Sequence, residues 1–592
     1  MTLYLSPSYC YPVSSCWGGW VCGAPFSVVN QSRKMQHVGW QRILLGLVVP
    51  SATIIVVLLA GPTTEEVASS SSAARPPLPN LAVRSVQLAV TFTPAVFAAP
   101  ALLLGRFGRE NVFEPTVAAS FRRSGAAFIK LAQWAGTRPD LLPRTLCEEL
   151  SSLHSAAPVH PWQFTRDEVE LSTGAPIERI FASFDQAPVA SGSIGQVHRA
   201  TLRDGHTQVA VKVRHPGVVL QMQTDFWLMD RMAALVERLP GLEWLDVRSL
   251  VGQFGTSLSS QVHLDVEAAN LRRAARHFAR WRDVGIPTVY FASEAVLVES
   301  FVAGRTVGSY VKAGGGDGIG GNGRGGDGKG GKGGHLHSAQ RNDDHAGAEA
   351  NDEGLGPEAR SYIVRRGVDI YLKMLLVDNL MHADLHPGNI IFDTGARRGG
   401  SKPRLSLVDF GLIAALTPQE QRGYIGFLRA LSDGDGEAAA ACVLRWSRAQ
   451  ACSSAECQRQ FTADLAASYA VVCRGFGTGT QLGDVLRATL ELVRTYGVSV
   501  EANYMTLVIN ALCLEGLARE LEPSYNVLDA ARPLLATSGA LGAPSPVFRA
   551  ALPLLQLAKR AIDARVAAAN SLRRRPPTRS GLTYAAAPVA PR

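Results

Sequence analysis

Cysteines spaced to bind a metal are absent from this 592-residue chain, although it contains nine cysteines. Their scattered positions indicate a reducing compartment or inert buried thiols. Lysine and arginine are nowhere gathered into a patch interleaved with aromatic residues, so the net charge of +9 does not argue for nucleic acid as a partner. The densest basic run lies in the Pro-containing segment 571–592, which we expect to be a solvated, disordered tail.

Acidic residues are absent from the first 64 residues, where Arg33, Lys34 and Arg42 stand among serines and aromatic residues. This composition resembles an organelle-targeting segment, and we assign that role to residues 1–42. The composition by itself leaves the organelle open.

Two uncharged apolar runs follow. Residues 43–61 would span about 28 Å as a helix, close to the ~30 Å hydrocarbon core of a bilayer. The second run, 85–105, carries Pro94 and Pro100, so a full span and a buried or interfacial hairpin remain alternatives. We therefore predict a hydrophobic, membrane-associated region at 43–107.

A Gly-rich mixture with Asp and Lys occupies residues 313–358. It is too polar to offset the entropy of ordering, and we interpret it as a disordered insertion. Its two flanks should still pack as neighbours, because closing a longer loop costs only ~0.6 kcal/mol per doubling of its length. The folded body would then comprise residues 110–312 and 359–570.

Two β-prone runs, 196–202 and 208–213, are joined through Asp204-Gly205 and predict a hairpin. The loop before them fits the kinase phosphate loop Gly-x-Gly-x-x-Gly-x-Val, except that Ala replaces the first Gly. Such small residues let backbone N–H groups approach phosphate oxygens, although they also occur in ordinary turns. In Val-Ala-Val-Lys, Lys212 occupies the place of a strand lysine that would reach phosphates. The predicted nucleotide-binding residues here are Ala190, Ser191, Gly192, Ser193, Gly195, Val197 and Lys212.

The segment His-Ala-Asp-Leu-His-Pro-Gly-Asn contains Asp384 and, five residues later, Asn389, and Asp-Phe-Gly follows at Asp409. Kinase-like folds present a catalytic Asp and two magnesium ligands in this order. Asp384 would orient or deprotonate the acceptor, and Asn389 and Asp409 would hold Mg²⁺. We expect His382 and His386 to brace the loop by hydrogen bonds. The alternative is a solvated loop between helices.

Helical signals surround this loop. Apolar residues recur every three or four positions from Val364 to Leu375, before the loop. After it, Thr417, Pro418 and Glu420 form a strong helix start, and the pattern stays almost wholly helical to about residue 570. A short strand signal at 295–299 precedes the connector at 301–304, where backbone groups of kinases meet an adenine.

Taken together, these motifs resemble the UbiB or aarF-domain-containing atypical kinase family over roughly residues 110–540, closest to its mitochondrial subgroup two. The motifs that carry the resemblance are Phe128–Trp134 with Arg138-Pro139-Asp140, Ser193–His198, Val211–Gly217, the Asp384 loop, Asp-Phe-Gly and Leu514–Leu517. The resemblance implies an α+β, two-lobed protein-kinase-like fold with a family-specific N-terminal helical extension and a mostly helical C-lobe.

Further residues take roles only through the resemblance. Lys130 and Gln133 match a family helix that lies over the nucleotide pocket, with Ala132 where the family has Gly. Glu267 matches the helix glutamate that pairs with the strand lysine. The family's Glu-x-Asp element should fall at 261–263, where neither carboxylate is present.

The resulting hypothesis is a membrane-associated atypical kinase or ATPase that uses ATP (or ADP) and Mg²⁺ and supports coenzyme Q, prenylquinone or lipid metabolism. Its partners would be nucleotide and membrane lipid or prenylquinone-pathway components, in the mitochondrial inner membrane or, alternatively, a plastid. A small-molecule phosphotransferase of the aminoglycoside or choline kinase type and a catalytically silent nucleotide- or lipid-binding scaffold are the alternatives. The acceptor and the oligomeric state are not determined by these residues.

Overall fold

The computed structural model describes residues 77–573, apart from 137, 139–141, 152, 154–158, 238–246, 315–354, 396–401, 447–451, 474–478, 499 and 541–544. The predicted targeting segment 1–42, the apolar run 43–61, nearly all of the insertion 313–358 and the tail beyond 573 lie outside this part of the chain.

A helical extension opens the described chain. Its helices are α1 (Leu78–Ala98), α2 (Gly105–Gly108), α3 (Glu114–Arg123), α4 (Ala126–Gly136) and α5 (Arg144–Ser151), with a 3₁₀ turn at Ala99–Leu104 and a π turn at Arg109–Phe113. The second apolar run therefore forms α1 and the 3₁₀ turn, with Pro94 inside the helix. The stretch Asn80–Arg123 is long and apolar enough to cross a membrane by length and composition, and 22% of its most apolar window is buried.

A twisted antiparallel sheet forms the next layer. After α6 (Trp162–Thr173) and α7 (Ile177–Ile180) come β1 (Phe181–Phe184), β2 (Ala190–Ser191), β3 (Gly195–Leu202) and β4 (Gln208–Arg214). With β6 (Val289–Ala292) and β7 (Val296–Ser300), the strand order is β1-β3-β4-β7-β6, and β2 pairs with β3. The predicted hairpin is confirmed, since β3 and β4 pair antiparallel from Gly195 opposite Arg214 to Thr201 opposite Gln208.

Three helices connect β4 to β6: α8 (Val218–Val236), α9 (Val247–Gln261) and α10 (Leu264–Phe278). The first two pack on the N-terminal extension in one apolar core. Burial on α10 follows a helical stripe through Leu264, Ala268 and Leu271, which faces the second lobe.

The second lobe is mostly helical, as predicted. Its helices are α11 (Val307–Gly314), α12 (Pro357–Lys373), α13 (Pro418–Asp433), α14 (Gly436–Arg445), α15 (Ala455–Val472), α16 (Leu482–Thr495), α17 (Ala502–Leu521), α18 (Val527–Ala540) and α19 (Pro546–Arg573), with a π turn at Met374–Asp378. Its short strands are β5 (Val284–Gly285), β8 (Arg305–Thr306), β9 (Met381–His382), β10 (Ile390–Asp393), β11 (Arg404–Leu407) and β12 (Ile413–Ala414). Strands β5, β11, β10 and β8 form one small sheet, and β9 pairs with β12.

The flanks of the insertion lie close together. Tyr310 of α11 and Tyr362 of α12 both place their rings against Phe392, with centroids 6.3 and 6.1 Å away. The expectation that the flanks pack as neighbours is thus confirmed. A disulfide joins Cys452 and Cys457 before and within α15, a pairing that their sequence positions did not reveal.

Candidate functional site

The strand β4 divides its side chains between a core and a cleft. Val209, Val211 and Val213 are fully buried on one face of the sheet, in a core that includes Val169 of α6. Because alternate residues of a strand point to opposite faces, Ala210 and Lys212 face the cleft between the lobes. The alternation in Gln-Val-Ala-Val-Lys-Val thus decides where the lysine points.

Three charged side chains from three segments meet in this cleft. The Lys212 Nζ donates a hydrogen bond to Glu267 Oε2 of α10 at 2.7 Å and lies 3.5 Å from Asp409 Oδ1. Glu267 is buried, whereas half of the Asp409 side chain is exposed to the cleft. Residues 212, 267 and 409 are therefore brought together by the fold from positions far apart in the chain.

The charges of this group reinforce one another. Burial alone would lower the pKa of Lys212, but the carboxylates of Asp409 and Glu267 outweigh it and raise that pKa above its ordinary value. The Lys212 ammonium in turn lowers the pKa of Asp409 to about 2, with smaller contributions from His382 and Lys130 and an opposing effect of burial. At neutral pH the site presents an ammonium group beside an ionised carboxylate.

Hydrogen bonds from neighbouring segments hold the Asp384 loop in place. The Asp384 backbone N–H donates to His382 Nδ1 at 3.2 Å, and the other ring nitrogen of His382 contacts the Val408 carbonyl at 3.0 Å. Asn510 of α17 donates to the His382 carbonyl at 2.7 Å. His386 accepts from the Gly388 N–H at 3.0 Å and lies 3.9 Å from the Asp384 carboxylate. Both histidines therefore make the loop contacts expected of them, and Asn510 is a support that the sequence did not reveal.

Asn389 and Asp409 each offer oxygen atoms that could bind Mg²⁺. The Asn389 amide nitrogen donates to the Asp384 carbonyl at 2.9 Å, which leaves the amide oxygen as the group available to a cation. Asp409 has a left-handed backbone (φ +60°) and an ionised carboxylate. No cluster of three or more His, Cys, Asp or Glu side chains that could hold a metal occurs in the described part of the chain. One carboxylate and one amide oxygen fit Mg²⁺, which binds through few protein ligands together with substrate phosphates.

The predicted phosphate loop is a tight turn between β2 and β3. Ala190 and Ser191 pair with Val197 and Gln196, and the Gly192 N–H donates to the Gly195 carbonyl at 3.0 Å. A Cβ on Gly195 would lie 2.5 Å from the Val213 carbonyl oxygen, so only glycine fits there. Val197 lies opposite Lys212 and shares its face, while Ser193 is buried.

Two histidines, His215 and His160, support this loop, a role that the sequence motifs did not point to. His215 contacts the Gly192 carbonyl at 2.9 Å through Nε2 and His160 at 2.7 Å through Nδ1. The other ring nitrogen of His160, Nε2, contacts the Thr165 hydroxyl at 2.9 Å. Gln196 donates to the same hydroxyl at 3.2 Å. His215 belongs to the Val-Arg-His-Pro-Gly motif, but nothing in that motif signalled its contact with residue 160.

The helix α4 reaches the cleft through Lys130, whose positive charge helps to lower the pKa of Asp409. Gln133, one turn later, instead donates its amide to the Leu153 carbonyl at 2.5 Å. Ala132, which replaces a family Gly, is fully buried. Near the Asp-Phe-Gly segment, Gln261 places its Cγ 3.7 Å from the position of a Cβ on Gly411, so an amide stands there and not a carboxylate.

Comparison with known proteins identifies similar chains. A family model described as the ABC1 atypical kinase-like domain matches residues 152–443. A probable serine/threonine-protein kinase, abkC, of Dictyostelium discoideum is 28% identical and aligns over 78% of this chain and 70% of its own length. A mitochondrial ABC1 family protein of Schizosaccharomyces pombe is 25% identical over 77% of this chain and 71% of its own. A probable protein kinase UbiB of Tolumonas auensis is 27% identical over 70% of this chain and 68% of its own.

Among solved structures, the complex of Rv3197 with erythromycin from Mycobacterium tuberculosis is 19% identical to this chain. The match covers 63% of this chain and 85% of that one, with a TM-score of 0.38.

Proposed function

Because this chain is a member of the ABC1 family of atypical kinase-like proteins, we propose that it is an ATP-dependent phosphotransferase or ATPase whose active site is the cleft around Lys212. The observation that carries the proposal is the meeting of Lys212, Glu267 and Asp409 in one cleft, with Asn389 bonded to the Asp384 carbonyl. A solvated loop between helices would not need a buried glutamate to hold a lysine.

Each residue acts by position and charge on a phosphoryl group whose transition state is loose. Lys212, held by Glu267, binds the phosphates, and the loop 190–197 covers them with backbone N–H groups. Asp384 orients the acceptor hydroxyl or water and accepts its proton. Mg²⁺, when bound by Asn389 and Asp409, would neutralise charge on the phosphates. Lys130 adds a second positive charge at the Asp409 side of the cleft.

A direct test is calorimetric titration of the full chain with ADP and Mg²⁺. We expect Lys212→Ala and Asp409→Asn to reduce affinity at least about tenfold, since each removes a charged contact to the nucleotide or its cation. Lys402→Ala is the matched control, because Lys402 is an exposed lysine outside the cleft. Unchanged affinity in both cleft variants would refute the proposal.

The variant Asp384→Asn separates an enzyme from a silent scaffold. It should still bind the nucleotide but lose phosphate release or transfer by about 10²-fold or more, in the range for a general base. Phosphate release at the wild-type rate would mean that Asp384 has no catalytic part.

The membrane part of the proposal comes from α1. Leu81, Leu88 and Phe92 bury one face of this helix in the extension. The opposite face is also apolar but exposed, and its residues repeat every three, four or seven positions: Val83, Val86, Val90 and Phe97. An exposed apolar stripe of this kind marks a protein or membrane contact. We assign it to lipid, in keeping with the mitochondrial relative and with the coenzyme Q and prenylquinone role that the UbiB resemblance implies.

A further inference from the structure

A second carboxyl group faces the cleft on the strand next to Lys212. Glu299 of β7 lies opposite Ala210 of β4, and Leu297 lies opposite Lys212. Residues opposite one another across an antiparallel pair share a face, so the Glu299 side chain is on the same face as Lys212. Glu299 is displaced from Lys212 by two residues along the strand direction, about 7 Å.

That displacement is toward the connector between the lobes. The Phe301 N–H donates to the Gln208 carbonyl at 3.0 Å, so the chain leaves the sheet just beyond Glu299. If Lys212 binds the phosphates, as the proposed function requires, the base of the nucleotide lies on the Glu299 side of them. The inference below rests on that function.

Glu299 has no partner of its own among the described residues. Its Oε2 atom is buried and makes no hydrogen bond. Lys212, the nearest source of positive charge, is already bonded to Glu267 and Asp409. A buried acceptor without a hydrogen bond is unfavourable. This points to a ligand that supplies the missing hydrogen bond to Glu299.

The surroundings also set the chemical form of this group. Burial raises the pKa of Glu299 to about 8, the carboxylates of Glu267 and Asp409 act in the same direction, and Lys212 opposes them. The neighbours across β4 and β6 at this position, Ala210 and Val289, carry no charge. At neutral pH the side chain is therefore an acid with one O–H donor and one carbonyl acceptor side by side.

We propose that Glu299 is a specificity-determining residue that recognises the base of an adenine nucleotide through its 6-amino group. The carbonyl oxygen of the acid accepts from the amino group, and the O–H donates to the adjacent ring nitrogen. No bond is made or broken, so the contact contributes to binding alone.

The test compares three ligands with full-length wild type, Glu299→Ala and Glu299→Gln, all with Mg²⁺. The ligands are ADP, purine riboside 5′-diphosphate, which lacks the 6-amino group, and inorganic pyrophosphate, which lacks the base. We expect Glu299→Ala to weaken ADP binding about three- to tenfold, the size of one or two hydrogen bonds. Purine riboside 5′-diphosphate keeps only the ring-nitrogen contact and should be weakened less than ADP, and pyrophosphate should stay within about twofold. Glu299→Gln keeps an adjacent donor and acceptor and should bind ADP within about threefold of wild type.

A matched control is Glu294→Ala, which removes an exposed glutamate from the turn before β7. Thermal unfolding of each variant shows whether it is folded, and Glu299→Gln tests the contact even if the alanine variant is not. Equal losses for ADP and pyrophosphate, or no loss for either, would overturn the inference. Failure of wild type to bind ADP would instead count against the proposed function.

Discussion

At the residue scale, the loop 190–197 depends on a contact network that contains the buried His160. His160 is buried and shares a 2.7 Å hydrogen bond with His215, which in turn holds the Gly192 carbonyl. Burial lowers the pKa of His160 to about 4, and the charges of His215 and His198 act in the same direction. A proton on His160 would place a positive charge in this buried network, so the loop is tied to one protonation state.

This gives a pH dependence of stability. As pH falls from about 6.5 to about 4, the unfolded chain takes up a proton at residue 160 that the folded chain does not. The stabilising contribution of neutral His160 to the free energy of unfolding is therefore fully present above pH 6.5 and is lost as the pH falls toward 4. We expect His160→Gln to reduce the slope of this free energy against pH by up to about 1.4 kcal/mol per unit, measured by urea unfolding at several pH values.

His206 supplies the control for that measurement. It is exposed in the turn between β3 and β4, so His206→Gln should leave the slope as in wild type. An unaltered slope in His160→Gln would show that residue 160 does not carry the effect.

At the element scale, the start of α13 fixes the chain that leaves the Asp-Phe-Gly segment. Thr417 accepts from the Glu420 N–H at 3.2 Å, and Glu420 accepts from the Thr417 N–H at 2.6 Å. Just before it, the Asn379 side chain bonds both the N–H and the carbonyl of Leu416. Because Asn379 also precedes β9 and the Asp384 loop, the chain on both sides of the proposed active site is held at one point.

The cap makes a measurable contribution to stability. We expect Thr417→Ala to lower the free energy of unfolding by about 1 kcal/mol, because the N-terminal N–H groups of α13 lose a partner. Chemical denaturation should detect this, and ADP affinity should change little. Thr462→Ala is the control, since Thr462 lies inside α15 and bonds only the carbonyl four residues before it. A Thr417→Ala variant as stable as wild type would contradict the role of the cap.

At the scale of the whole molecule, the described residues form three apolar cores. One fills the helical lobe, one joins the N-terminal extension to α8 and α9, and a small one lies between the sheet and α6. The extension is anchored by Arg84 of α1, which makes a 2.6 Å ion pair with the buried Asp225 of α8. The apolar outer face of α1 and the cleft-facing Lys130 thus belong to the same packed extension, which under the proposed function would place the cleft next to a membrane.

Flotation with phospholipid vesicles tests that arrangement. A chain beginning at residue 77, shown to be folded by its ADP binding, should float with the vesicles. Replacing the stripe residues Val83, Val86, Val90 and Phe97 by serine should reduce the floated fraction several-fold, because most of the apolar contact area is lost. The control replaces exposed apolar residues elsewhere, at Val159, Leu171 and Val471. Equal flotation of both variants would argue against α1 as the lipid contact.

Local patterns were enough to predict much of the fold. Asp204-Gly205 between two β-prone runs predicted the hairpin, and Thr417, Pro418 and Glu420 predicted the start of α13, because turns and caps depend on residues close in the chain. The contact between residues 160 and 215 left no such trace, because it joins segments 55 residues apart whose approach depends on packing.

The sequence by itself determined which chemical groups are present and in what order: a small-residue loop, a strand lysine, an Asp and Asn five residues apart, and Asp-Phe-Gly. Only the tertiary structure decided that Glu267 holds Lys212, that Lys130 acts on Asp409 while Gln133 holds Leu153, and that Glu299 faces the same cleft. The physical reason is that ion pairs and burial are set by distances in space. Those distances follow from how sheet and helices pack, which no short stretch of sequence records.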